Sequence, residues 1–349
     1  MKLFYKKILS FIFFFINKNF VLAKKNKKYY SSNKYYAGAK RYKIFTLKNG
    51  KIFFDTSECR YFYIYKQFIL PELSIDIKGL TNSSNIFKYG IAKICKKFDL
   101  DVFSIISGRD PNDNYSHWLL DVLPRLIILE SIFKKCSKIN LLVPGHDKDY
   151  QKDSIKYLTL NKKINIISLN DKKFCKFSKI ISCSNYSTSN YSHYYDKILL
   201  SKLKQKTLSQ AKKKTFLINS KFNKIYLSRI DASKKKHRYL ENNLEIENYL
   251  IKKGFKIVIL SNYSFLEQSL IFNKAKFVIG LHGAGFANLI FSKKKTKIIE
   301  IGSSNWKDID AYKKLSNKLH LNYKRILIKP KTNKFQTINL PLNIIKKYV

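Results

Sequence analysis

Cysteine is scarce and odd in number: five, at positions 59, 95, 136, 175 and 183, with no paired metal spacing. That pattern builds neither a disulfide framework nor a visible zinc site, and it points to a reducing compartment. Arginine is scarce too, with seven among 69 basic residues. The formal charge of +46 is therefore almost all lysine, and it comes with abundant Asn, Ile, Phe and Tyr and with few Gly and Pro. Those abundant residues share A/T-rich codons. The charge then reads as genome composition on a solvated surface and not as a nucleic-acid footprint, although anions and membrane surfaces are still attracted. Long apolar runs are missing. The longest near the start, Ile8 to Ile16, falls short of the roughly 20 residues that a spanning helix needs.

Glycine is the most telling scarcity. Of eleven glycines, Gly280, Gly283 and Gly285 fall within six residues. They lie between an apolar run at Phe277 to Ile279 and the segment Phe286 to Phe291, which can wind as a helix before a second apolar run at Lys297 to Ile301. Strand, glycine turn, helix, strand is the expected order. A helix starting near Gly285 leaves its first N–H groups open and carries partial positive charge there, which suits a phosphate that glycines allow to approach. His282 adds a donor. A tight turn with no ligand has the same spacing.

With 45% hydrophobic residues over 349 positions the chain can build sizeable cores, and its length suggests two domains. Residues 1–40 read as an apolar and basic lead-in. From 41 to 215, short runs at Lys51 to Phe54, Tyr61 to Ile69 and Val102 to Ile106 suggest strands. A helix from His117 to Cys136 follows, capped by Asn114 or Ser116, and then an α/β alternation that ends in a Lys-rich helix around Asp196 to Lys213. From 216 to 329 a second alternation begins at Ile225 to Ser228 and predicts a doubly wound parallel sheet, whose ligands bind beyond the carboxyl ends of its strands. Arg229, the stretch Ser261 to Glu267, His282 and the stretch Gly302 to Trp306 fall at such ends. The tail, 330–349, shows apolar content and nothing more.

The helix at Ser116 carries His117, Asp121 and Arg125 at intervals of four, which predicts one polar stripe. A histidine with a carboxylate one turn on could be a general base that the carboxylate orients; an ordinary solvated face has the same spacing. Pro124 should kink this helix. Trp118 is expected in the core or as a wall against a sugar. Three Asp-x-Asp triplets, at 99, 147 and 308, are weak signals for a metal.

Four stretches in this order resemble the motifs of glycosyltransferase family 61: Asn114 to Leu126, Tyr226-Leu227-Ser228-Arg229, Ser264 to Gln268, and Gly280-Leu281-His282-Gly283-Ala284-Gly285 through Ile299-Glu300-Ile301-Gly302. That family includes bacterial capsular-polysaccharide-type enzymes and eukaryotic xylosyl- and N-acetylglucosaminyltransferases. The resemblance implies a GT-B-like α/β fold of two Rossmann-like domains with a cleft between them, and inverting sugar transfer from a nucleotide sugar, a UDP-sugar by expectation, to a glycan acceptor, with no cofactor and no obligatory metal. It implies a diphosphate on Gly283, Ala284 and Gly285 with Arg229 and His282 donating to it. Glu267 would accept from a ribose or base, or cap its helix, and His117 aided by Asp121 would deprotonate the acceptor. Asn114 and Arg125 are further candidates. Arg238 is a candidate second phosphate ligand, although the run Lys236 to Asn242 departs from the family pattern.

The alternative is a non-catalytic nucleotide-sugar or carbohydrate-binding protein on the same fold. The enzyme reading needs a cytoplasmic donor. It therefore favours peripheral membrane anchoring, or simple packing, of residues 1–25 over a signal peptide cut after Val21-Leu22-Ala23. Cytoplasmic surface-polysaccharide synthesis at the inner membrane face, with no nucleic-acid partner, is the expectation.

Overall fold

The computed structural model describes residues 21–22, 31–37, 40–55, 60–65, 68–70, 73–74, 95–107, 114–133, 136–159, 163–169, 174–184, 195–214, 222–233, 238–306, 310–329 and 337–349. The apolar run Ile8 to Ile16, the 108–113 loop, Lys236 and Asp308 lie outside them. The chain divides into two compact units, residues 1–151 with 159–192, and residues 152–158 with 193–349. Among the described residues no helix is long and apolar enough to cross a membrane.

The first unit is organised on a mixed sheet. Its strands are β1 (Val21–Leu22), β2 (Ser31–Ala37), β3 (Lys40–Lys48), β4 (Lys51–Asp55), β5 (Arg60–Tyr65), β6 (Phe68–Ile69), β7 (Lys96–Ser104), β8 (Lys138–Val143), β9 (Lys163–Ser168) and β10 (Phe174–Cys183). β9, β8, β7 and β10 run parallel in that order, so β10 returns on the far side of β7. This reversal of direction after three strands is a topological switch point, and it opens beyond the carboxyl ends of β7 and β10. Antiparallel strands extend the sheet past β10: β3 and β4 both pair along it, joined at Asn49 and Gly50. Buried Phe45, Tyr63, Val102, Leu142 and Phe177 belong to one core cluster. The antiparallel extension did not follow from the α/β alternation, and the expected strand Tyr61 to Ile69 is a hairpin, β5 and β6.

Beyond β7 the chain enters α1 (Tyr115–His117), a π-helical turn (Trp118–Val122) and α2 (Leu123–Phe133). Pro124 accounts for the middle segment. A proline ring collides with the carbonyl four residues back and brings no N–H, and widening the preceding turn by one residue relieves both problems. The N–H of Leu123 accordingly reaches Trp118 O, five residues back. α3 (Asp149–Leu158) links β8 to β9.

In the second unit α4 (Lys197–Lys214), capped by Asp196 Oδ1, packs on α7 (Phe265–Lys274). The sequence boundary at 215 had grouped α4 with the first half. The sheet contains β11 (Lys224–Leu227), β12 (Lys256–Val258), β13 (Phe277–Leu281), β14 (Lys297–Ser303) and β15 (Asn322–Ile328), all parallel, in the order β12-β11-β13-β14-β15. Its switch point lies between β11 and β13. Between these strands run α5 (Ile230–Ser233), α6 (Asn243–Lys252) and α8 (Ala311–Lys318), and α9 (Leu342–Lys346) closes the chain. The segment read as an uninformative tail is part of this core: Ile338, Leu340 and Ile345 are buried in it, and Ile338 bridges Leu240.

Gly280 sits at the centre of this sheet for want of room. A Cβ there would lie 2.8 Å from Leu227 Cβ on the paired strand and 3.2 Å from the Phe286 ring. Leu227 Cβ cannot swing away, so Gly280→Ala is expected to cost about 1–3 kcal/mol by overpacking. Urea unfolding would measure the loss.

Candidate functional site

The turn after β13 is built differently from the expectation. Gly283 is extended, φ 176°, and the following Ala284–Phe291 is a 3₁₀ helix, not an α-helix. It is apolar apart from Asn288, and Phe286 to Phe291 are all buried, so packing rather than propensity sets its geometry. Asn288 ties it down. Its Nδ2 donates to Gly285 O (3.2 Å) and to Gln268 Oε1 (3.0 Å), and Gln268 Nε2 donates to Leu260 O and Tyr263 O.

The glycines do not serve positive φ here. A Cβ on Gly283 would meet Arg229 Nη1 at 2.1 Å, and one on Gly285 would meet Leu260 Cδ1 at 2.5 Å. The chain's own side chains come close, and the guanidinium is one of them. Arg229 Nη1 donates to His282 O at 2.7 Å. Burial, and then the like charge of Arg238, hold the Arg229 guanidinium below its ordinary pKa.

Arg238, which the sequence could not align, is brought to the same place. Its guanidinium lies 4.8 Å from the centroid of Trp306, whose ring is 6.0 Å from that of His282. Tyr312 stands 5.3 Å from the His282 ring on another side. Two partly desolvated guanidiniums and an imidazole therefore gather at the carboxyl edge of β11, β13 and β14, where a bound anion would relieve the repulsion between the two guanidiniums.

Behind His282 is a carboxylate that the sequence reading quoted without a role. His282 Nδ1 and Glu300 Oε1 are 2.5 Å apart, and Glu300 is fully buried. The signal was present: one glutamate interrupts the apolar run of β14, and such a residue in a buried strand needs partners.

Glu267 goes to the helix. Its Oε2 accepts from Ser264 N (2.8 Å) and Ser264 Oγ (2.7 Å), and Ser264 Oγ accepts from Glu267 N, a capping box worth about 1 kcal/mol. Of the two roles expected for Glu267, the cap is the one the structure shows. Asn114 is likewise a cap, its Oδ1 accepting from Ser116 N and His117 N.

In the first unit His117 Nδ1 lies 2.6 Å from Asp121 Oδ2, with 29% and 20% of these side chains exposed. In the chain the pair follows β7, in the helical segment that opens at Tyr115. Arg125 does not continue the stripe. The widened turn inserts one residue and rotates everything after it, so Arg125 points inward, fully buried, with Nη1 donating to Ser182 Oγ and Cys183 O. Trp118 is core, fully buried beside Tyr150.

The aspartate triplets have other partners. Asp99 and Asp101 are within β7, not before it; Asp99 accepts from Ser178 Oγ, and Asp101 pairs with Lys179. Asp147 pairs with Lys148, and Asp310 with Arg325. Among the described residues no three His, Cys, Asp or Glu side chains group as a metal would require.

The sequence model of the family described as Glycosyltransferase 61 matches residues 115–299, more than half of the chain. The chain belongs to the glycosyltransferase 61 family. No curated protein matches it. Membership makes this protein a glycosyltransferase, with a sugar donor and a glycan acceptor. In this glycosyltransferase 61 member the match begins at α1 and ends within β14, so it spans both the His117–Asp121 pair and the His282 turn.

Proposed function

We propose that the protein is an inverting glycosyltransferase that moves a sugar from a nucleotide diphosphate donor, of the UDP type, to a glycan hydroxyl in the synthesis of a surface polysaccharide. One observation supports this most: Arg229, Arg238 and His282 converge on the turn at the second sheet's switch point, where an α/β sheet binds phosphates. On this reading the two units are the Rossmann-like halves of a GT-B enzyme, and the second holds the donor. Fixed positive groups stabilise the departing diphosphate, which is the service a metal gives elsewhere, so transfer proceeds without one.

His117, oriented by Asp121, takes the acceptor's proton. The hydroxyl oxygen bonds to the anomeric carbon while the carbon–phosphate oxygen bond breaks, and its electron pair leaves with the nucleoside diphosphate. The work is cytoplasmic, at the inner face of a membrane that the basic surface contacts.

Gly283→Ala tests the site. Extended backbone tolerates alanine, but the new methyl displaces the Arg229 guanidinium. The variant is expected to lose about 10–100-fold in UDP-sugar affinity, the value of a charge-assisted hydrogen bond, with a melting temperature close to the unmodified protein's. Arg229→Ala should lose as much. Binding across a UDP-sugar panel by thermal shift and calorimetry measures both, and undiminished affinity in the two variants would remove the turn from the donor site.

A further inference from the structure

The second sheet carries a row of polar side chains that family membership does not explain. In register across the strands stand Leu227, Gly280, Glu300 and Arg325. Side chains alternate faces along a strand, so His282, two residues past Gly280, and Tyr323, two before Arg325, share that face. There the Glu300 carboxylate has His282 Nδ1 on one oxygen, and on the other the Tyr323 hydroxyl, which donates to it, with Arg325 Nε 3.5 Å away. Arg325 also donates from Nε to Tyr323 Oη (2.8 Å) and from Nη1 to Asp310 (2.9 Å). Burial comes first, and then the Glu300 charge, in pushing the Tyr323 phenol far above its ordinary pKa, so it stays a donor. Glu300 is thereby fixed as an acceptor towards the histidine.

A neutral imidazole has one N–H. If Glu300 takes it at Nδ1, the nitrogen left over, Nε2, carries a lone pair. The described residues give Nε2 no hydrogen-bond partner. A lone pair facing phosphate oxygens repels them, whereas an Nε2–H attracts them. We infer that Glu300 is a positioning residue that couples diphosphate binding to uptake of a proton at His282 Nε2, so that the bound ring is an imidazolium between the Glu300 carboxylate and the diphosphate. This rests on the turn being the donor site. It also assigns the proton a place in the reaction. The acceptor's proton leaves by the first-unit base, and the proton on Nε2 stays hydrogen-bonded to the departing phosphate oxygen and is released when the nucleoside diphosphate dissociates.

The sign follows from linkage: a ligand that binds with proton uptake binds more weakly as pH rises. The other charged and titratable groups at the ring are Arg229, whose Nη1 donates to the His282 carbonyl, Tyr312 beside the ring and Arg238 across Trp306. Behind Glu300 stand Tyr323, Arg325 and Asp310. The arginines stay charged throughout, and their contribution is the same in both variants below.

The test is calorimetry of UDP binding at about pH 8, where the terminal phosphate of UDP is already ionised. It is run in two buffers of different ionisation enthalpy, on the full chain and on Glu300→Gln and His282→Gln. The unmodified protein is expected to take up close to one proton per UDP bound. Glu300→Gln, with no charge to hold an imidazolium, should take up close to none and bind UDP about tenfold more weakly at that pH, and His282→Gln should take up none. Nitrogen-15 spectra of the ligand-free protein give a readout that folding alone would not move. The His282 ring is expected with its proton on Nδ1, and Glu300→Gln should shift that resonance while the other histidines stay in place. UDP binding without proton uptake, or equal uptake in Glu300→Gln, overturns the coupling and leaves the donor site standing. Failure of the unmodified protein to bind UDP overturns both.

Discussion

Asp121→Asn is expected to lower turnover by about 10²–10⁴-fold, the range that a positioned general base contributes, with UDP-sugar affinity unchanged. The reason is a tautomer. Asp121 Oδ2, 2.6 Å from His117 Nδ1, accepts the ring's N–H and leaves Nε2 as the nitrogen that can take a proton. An asparagine amide turned with its NH2 towards the ring donates to Nδ1 and moves the ring proton to Nε2, so the base faces the acceptor already occupied. Geometry is kept and the lone pair is lost, an effect known from other histidine–carboxylate pairs. The groups proposed to hold the donor belong to the second unit, so donor binding should not respond. His117→Ala should fall at least as far. Kinetics with a single acceptor, read beside calorimetry with the donor, separates the outcomes. Unchanged turnover in Asp121→Asn, or a fall matched by lost donor affinity, would remove the pair from the proton-transfer role.

The protein holds a second histidine–carboxylate pair, and the two differ in how rigidly they are held. His117 and Asp121 lie on one helix and are partly exposed, a setting that lets a proton leave to water. Glu300 is fully buried and is held in turn by Tyr323 and Arg325. A fixed charge that must not wander suits leaving-group stabilisation, whereas an accessible ring suits proton abstraction, and this contrast supports the division of roles proposed above.

What the sequence made legible was local. The helix Phe265–Lys274 follows from its own residues, since a capping box opens it and buried apolar residues follow. The strands β11, β13 and β14 were found because parallel strands buried on both faces are short apolar runs. β15 escaped, since Asn322 to Ile328 mixes Lys and Arg into a strand at the sheet edge, where one side stays in water. At the candidate site, the positions of Arg229 and His282 beyond strand ends were legible from the apolar runs before them. Arg238 arrives through a loop and a stacking contact with Trp306, neither of which has a period to read. Glu300 was visible as a charge inside an apolar run. Its meaning lay in the cross-strand register with Arg325 and in the offset to His282, which a single chain read in order does not display.

Arg125 marks the sharpest break between spacing and structure, and its replacement should have the largest effect on stability. The side chain is fully buried, with Nη1 donating to Cys183 O (3.0 Å) and Ser182 Oγ (3.3 Å) at the end of β10. Ser182 Oγ donates to Ser104 O on β7, and Tyr63 Oη meets Ser104 Oγ at 2.7 Å and Ile106 O at 3.1 Å. The guanidinium thus closes a polar network across β5, β7 and β10, where burial raises the Tyr63 phenol and the Cys183 thiol and the Arg125 charge works against both shifts. Arg125→Ala removes the donor, strands the Cys183 carbonyl in the core and leaves a void, and about 3–5 kcal/mol is expected to be lost in urea unfolding. Arg125→Met keeps most of the volume and needs no charge solvated, so about 1–2 kcal/mol is expected, the cost of one unsatisfied buried carbonyl. The methionine variant should also transfer sugar at the unmodified rate at temperatures where it is folded, because Arg125 faces away from His117 and Asp121. A folded Arg125→Met protein with turnover as low as that of Asp121→Asn would return Arg125 to the polar stripe and contradict the rotation imposed by the π-helical turn.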